Sequence, residues 1–118
     1  MATYARKLLS ASTSGKPILI AATATAGTLI HTAVAGAAAW DEIYLWLSNT
    51  SGTAVPVTVE WGGATAPDSH LVDAYSIPAN SPPIPVVTGQ VLNGGLTCRI
   101  FAGTTNVITA TGFINAIS

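Results

Sequence analysis

From Ile43 to Leu47 every residue is large and apolar, with Ile43, Leu45 and Leu47 alternating against Tyr44 and Trp46. On a pleated strand this puts the aliphatic set on one face and the aromatic set on the other, so both faces of a strand over Asp41–Asn49 are expected to carry apolar groups. The same period runs from Thr53 to Trp61, where Val55, Val57, Val59 and Trp61 alternate with Ala54, Pro56, Thr58 and Glu60. Asn49-Thr50-Ser51-Gly52 precedes that run and Gly62-Gly63 follows it, both turn compositions. Pro56 has no N–H to give a ladder, which puts its strand at a sheet edge or starts its pairing beyond Pro56.

Further strands are expected over residues 16–25, 28–34, 70–77, 84–87, 96–102 and 107–117, where β-branched residues cluster between turn signals. Ala26-Gly27 and Asn93-Gly94 read as hairpin turns, and Ala35–Ala39 could form one helical turn. No longer helical window is present. Short strands punctuated about every ten residues imply an all-β chain: a single β-sandwich, jelly-roll-like, of about eight strands.

A chain of 118 residues is the size of one domain. Residues 16–118 are expected to form the sandwich and residues 1–15 an extended N-terminal arm. The arm holds Arg6 and Lys7, two of the four basic residues, followed by Ser10-Ala11-Ser12-Thr13-Ser14-Gly15. It reads as a segment that docks on a neighbour, with a solvated tail as the alternative. Only 8% of residues are charged, where about 25% is usual. A surface so poor in charge suits a subunit covered by its neighbours better than a free monomer. With four basic and five acidic residues there is no patch for neutralising phosphates, so direct nucleic-acid binding is not expected. The uncharged stretch from Pro17 to Trp40 is interrupted by Thr23, Thr25, Thr28, His31 and Thr32, which reads as two strands rather than an export signal or membrane span.

The residues that carry chemistry do not converge. Cys98, the only cysteine, sits in an apolar run beside Ile100 and reads as a buried small hydrophobe. His31 and His70 lie in no metal-ligand spacing, and strand positions are expected for both. Asp68, Ser69 and Asp73 surround His70, but Ala64–Ser69 reads as a turn and Ser69 lies in no Gly-x-Ser-x-Gly elbow. Gly62-Gly63 and Gly94-Gly95 lack the helix and the Gly-Lys-Ser/Thr ending of a phosphate loop. Asn49-Thr50-Ser51 matches a glycosylation triplet without a secretory context. No enzyme, metal site or cofactor is expected. Trp40, Trp46, Trp61, Tyr4, Tyr44 and Tyr75 are read as core and subunit contacts, with a sugar-binding face as the other possibility. Tyr4, Arg6, Lys7, Tyr44 and Trp46 are the candidate interface residues.

Four segments carry a resemblance. They are Asp41-Glu42-Ile43-Tyr44-Leu45-Trp46, Val57-Thr58-Val59-Glu60-Trp61-Gly62-Gly63, the proline-rich Ile77–Pro85, and Val107-Ile108-Thr109-Ala110-Thr111-Gly112-Phe113. With the short N-terminal arm, this layout resembles small virion proteins of tailed bacteriophages, most of all capsid decoration (cement) proteins. The resemblance spans most of the chain and rests on no single diagnostic motif. It implies a sandwich or jelly-roll fold and a homo-oligomer, with a trimer favoured. It also implies a position on the outer capsid against the major capsid protein, after synthesis in the host cytoplasm, and a role in reinforcing the shell. Alternatives are another virion component (head fibre base, neck or tail) or a carbohydrate-binding β-sandwich module.

Overall fold

The alternating runs form strands. The computed structural model describes residues 3–63 and 69–118. In these the strands are β1 (Tyr4–Lys7), β2 (Ile18–Leu19), β3 (Thr28–Thr32), β4 (Trp40–Asn49), β5 (Val55–Trp61), β6 (His70–Ile77), β7 (Ile84–Leu92), β8 (Thr97–Ala102) and β9 (Ile108–Ile117). One antiparallel sheet has the order β1-β9-β4-β7, and the other β3-β8-β5-β6. The whole length of β9 pairs with β4 on one side, so β1 and β2 lie end to end on its other side, against Ile114–Ile117 and Thr109–Ala110. Counting β1 and β2 as two pieces of one edge strand, the described residues form an eight-stranded jelly roll. Every connection from β2 to β9 crosses between sheets except β5 to β6.

The core lies between the sheets. Ile43, Leu45 and Leu47 of β4 face Val55, Val57 and Val59 of β5 and Ile100 of β8, all fully buried or nearly so. The aliphatic face of β4 is therefore the core face, and Tyr44 and Trp46 stand on the outer side. Strand β5 lies inside its sheet, between β8 and β6. Its ladder with β8 begins at Val57, one residue past Pro56, so the missing N–H falls at the ladder's end. The Pro56 carbonyl there accepts from the amide of Gly103.

Both faces of β5 are covered. Glu60 points away from the core yet is fully buried, because residues 20–27 cross over it. Its carboxylate accepts from the Thr25 hydroxyl and from the Gly27 amide, the latter at 2.6 Å.

Several local expectations are corrected by this topology. Ala26-Gly27 is no hairpin turn, because β2 and β3 belong to different sheets. Of residues 16–25 only Ile18–Leu19 are strand. The chain then leaves β9, with Ile20 buried and its amide on the Ile108 carbonyl. Gly27 serves close approach instead: a Cβ there would lie 2.6 Å from the backbone of Ile100. The turn at Asn93 is real, with the Leu96 amide on the Asn93 carbonyl and positive φ at Gly94 and Gly95, but it links β7 and β8 across sheets and forms no hairpin. Residues 35–38 are bends, not a helical turn. The turn expected over Ala64–Ser69 lies, apart from Ser69, outside the described residues.

The segment expected as an arm lies along the sandwich within this single chain. The residues of β1 pair with β9, Leu9 is buried in the core, and the Ala11 amide bonds to the Ile30 carbonyl.

Candidate functional site

Among the described residues no three His, Cys, Asp or Glu side chains gather where they could hold a metal ion. Among those residues each histidine hydrogen-bonds one carboxylate. Nδ1 of His70 lies 3.3 Å from Oδ1 of the exposed Asp73, and the His70 ring meets Phe101 edge-on. Asp68 lies outside the described residues. His31 is buried in β3, with Nε2 at 2.7 Å from Asp41 of β4 and Nδ1 accepting from the backbone amide of Ser10. Ser10, His31 and Asp41 form the residue set of a nucleophilic triad without its geometry. The ring nitrogen on the Ser10 side is occupied by the amide, and the Ser10 hydroxyl accepts from the amide of Thr32. These bonds tie the root of the N-terminal segment to both sheets.

The outer face of the five-stranded sheet carries a different arrangement. Among the described residues no third layer of strands or helices covers it, and period two sends Glu42, Tyr44 and Trp46 of β4 to the side opposite the core. The register places Tyr44 opposite Phe113 of β9, and Glu42 and Arg6 on either side of Asn115. The Tyr44 and Phe113 rings stack with centroids 4.9 Å apart, and Trp46 stacks on Phe113 at 6.0 Å. Arg6 reaches over from β1 and sets its guanidinium 4.4 Å from the Phe113 ring centre, a cation–π contact.

A polar group borders the rings. Glu42 accepts from the Tyr44 hydroxyl at 2.7 Å and from the Asn115 amide at 3.1 Å. The bond from Tyr44, helped by the one from Asn115, holds the Glu42 carboxyl below its ordinary range against the opposing effect of burial. The Tyr44 hydroxyl is pushed up, first by that same bond, then by burial and the Glu42 charge, with Arg6 acting the other way.

Toward one end the face turns apolar. The register aligns Tyr4, Ile117 and Trp40 across β1, β9 and β4. Tyr4 is 69% exposed, Trp40 40%, and Val91 and Leu96 beside it 49% and 47%. Trp40, Val91, Leu92, Asn93 and Leu96 line an open cleft of about 160 Å³. Monomers leave few large apolar side chains clustered in solvent, and such clusters mark contact surfaces.

Of the five candidate interface residues, Arg6, Tyr44 and Trp46 meet around Phe113, and Tyr4 joins the apolar end. Lys7 does not join them: it pairs with Ile114, whose side chain points to the core side, and it is exposed at the sheet edge. Sequence reasoning missed Phe113, Glu42, Asn115 and Val91. The alternation Thr111, Phe113, Asn115, Ile117 carried a signal for one face of β9, but pairing with β4 depends on register, which no local pattern shows. No family model, curated protein or solved structure matches this chain.

Proposed function

We propose that this chain is a structural subunit that binds other protein through the outer face of its five-stranded sheet, and that its setting is a virus particle. In that setting it acts as a decoration (cement) protein on the major capsid protein. The observation that carries the reading is the cross-strand row Tyr4, Ile117 and Trp40, with Tyr4 and Trp40 exposed, Ile117 half-buried between them and the exposed Val91 and Leu96 beside Trp40, on a chain with only 8% charged residues. Aromatic and aliphatic groups at the centre of a face, with Arg6, Glu42 and Asn115 beside them, have the composition of a protein–protein contact: apolar, Tyr- and Trp-containing, with Arg present. The jelly roll is shared by many viral shell proteins and also by lectins, so it supports the setting only as an analogy of fold.

The carbohydrate-binding alternative draws less support from the same face. A sugar ring stacks on an open aromatic face, whereas Tyr44, Phe113 and Trp46 face one another and Arg6 covers Phe113. The deciding experiment is sedimentation of assembled particles with and without the protein, read as copy number against the major shell protein. The expected result is a fixed stoichiometry and a higher rupture temperature of filled heads. Absence from particles overturns the virion setting. Particle association with equal rupture temperatures favours a fibre, neck or tail position.

A further inference from the structure

We propose that β1 exchanges between copies of this chain, the β1 of one copy pairing with β9 of the next, hinged at Leu8. The inference rests on the assembly reading above and names the partner at one sheet edge: a second copy of the same chain.

All four residues of β1 are exposed, so none of its side chains enters the core. It is held by its ladder to Ile114–Ile117 and by Arg6 on Phe113. Two residues after Lys7 the situation reverses. Leu9 is 2% exposed, the Ser10 amide bonds to His31 Nδ1 at 2.9 Å, and the Ser10 hydroxyl accepts from Thr32 at 2.7 Å. The boundary between a strand lying on the surface and a fixed root is therefore the single residue Leu8, itself 53% exposed.

A strand with such a boundary can swing out without disturbing the core. Residues 3–7 alone reach about 17 Å when extended, at roughly 3.3 Å per residue, enough to cross to an adjoining subunit. A second copy is the favoured acceptor because its β9 edge is the one β1 already fits. Every ladder bond and the Arg6–Phe113 contact are made again between copies, and the costs are the new backbone path at Leu8 and the entropy of association. An unrelated partner would need a matching edge and an aromatic ring of its own. Reciprocal exchange closes a dimer, and head-to-tail exchange closes a ring.

The test uses the pair Ala5 and Ala116, which lie opposite each other in the β1–β9 ladder. Directly opposed antiparallel residues have Cα separations that a disulfide spans. In the variant Ala5→Cys/Ala116→Cys, oxidation and non-reducing electrophoresis are expected to show covalent dimers or larger species, with a fraction that rises with protein concentration. Cys98 is fully buried and does not compete. Crosslinks confined to single chains at every concentration overturn the exchange. If neither crosslink forms, sedimentation of a chain with a four-residue Gly-Ser insertion after Leu8, which keeps Tyr4 and Arg6 of the docking face and favours return of β1 to its own β9, decides. Loss of the oligomer upholds the exchange, and an unchanged oligomer overturns it. An oligomer whose crosslinks are all internal removes the exchange but leaves the docking face standing, whereas a chain that stays monomeric and off particles removes both.

Discussion

Nε2 of His31 lies 2.7 Å from Oδ2 of Asp41, and the pair joins β3 of one sheet to β4 of the other with both side chains buried. Because Nδ1 of His31 accepts from Ser10, the proton of the neutral ring sits on Nε2 and is donated to Asp41. The same Asp41 oxygen accepts from the amide of Val34 at 3.1 Å. Asp41→Ala leaves the ring N–H and the Val34 amide without their acceptor, and each buried donor left unpaired costs about 1–3 kcal/mol. Denaturant unfolding of Asp41→Ala should show a lower midpoint with an unchanged slope. A midpoint equal to that of the parent chain refutes the network's structural role.

Glu60 invites a parallel experiment on the other sheet. Its carboxylate fastens residues 20–27 over β5 through Thr25 and Gly27. Glu60→Ala should lower stability by about 1–3 kcal/mol, since buried donors lose a charged acceptor. It should also speed hydrogen exchange at the Gly27 amide relative to amides of β4. Uniform exchange rates across both regions would count against a local fastening.

Gly112 sits opposite Leu45 in the β4–β9 ladder, and a Cβ on it would lie 1.9 Å from the Tyr44 carbonyl oxygen. Backbone cannot yield as a flexible side chain can, so Gly112→Ala should cost more than the about 1–3 kcal/mol typical of an overpacked site. Gly52→Ala, where nothing lies within 4 Å, is the matched control and should be near neutral. The two melting temperatures decide the comparison.

Much of this fold was legible because burial on one sheet face writes a period of two into the chain. The residues of β4, β5, β6 and β8 lie within a residue or two of the expected runs. The jelly-roll class followed from their number and spacing. Connection was not legible. Ala26-Gly27 and Asn93-Gly94 have hairpin compositions, yet each precedes a strand of the opposite sheet, and a turn's residues set its local dihedrals rather than the sheet its exit strand joins. The brevity of β2 had no local sign either, because Ile20 leaves the ladder to fill the core and residues after it cover a carboxylate far along the sequence. At the outer face, Tyr44 and Trp46 were visible as aromatics on β4, while Phe113, Glu42 and Asn115 join them only through strand register.

Cys98 provides a pH-dependent check on the core. Burial pushes its thiol from 9.0 to about 12. A group whose pKa is raised in the folded state binds its proton more tightly there. Its contribution is therefore fully present below 9.0 and is lost as pH rises toward about 12. Stability should fall across that alkaline window, and Cys98→Ala should remove the part of the fall due to the thiol. In the folded chain the thiol should resist alkylating reagents at neutral pH and react only after denaturant is added. Rapid labelling of native protein contradicts this burial.

The docking face yields the prediction that bears most directly on function. Trp40 and Val91 are 40% and 49% exposed, so each is about half covered in the isolated fold; Trp40→Ser and Val91→Ser should lower its melting temperature, and association is compared at a temperature where every variant is folded. On the proposed docking the same residues would become desolvated. Loss of a central aromatic anchor there costs about 2 kcal/mol or more, roughly a 30-fold weaker association. Leu71, 38% exposed on β6 of the opposite sheet, supplies the control: Leu71→Ser should leave association unchanged. Sedimentation across a concentration series, together with binding to assembled particles, measures the effect. Should Leu71→Ser weaken association as much as Trp40→Ser, the contact surface is not the outer face of the five-stranded sheet. The seam between β6 and β7, where Val72, Tyr75, Pro85 and Val86 line a second apolar cleft of about 200 Å³, then becomes the better account of how this chain meets its neighbours.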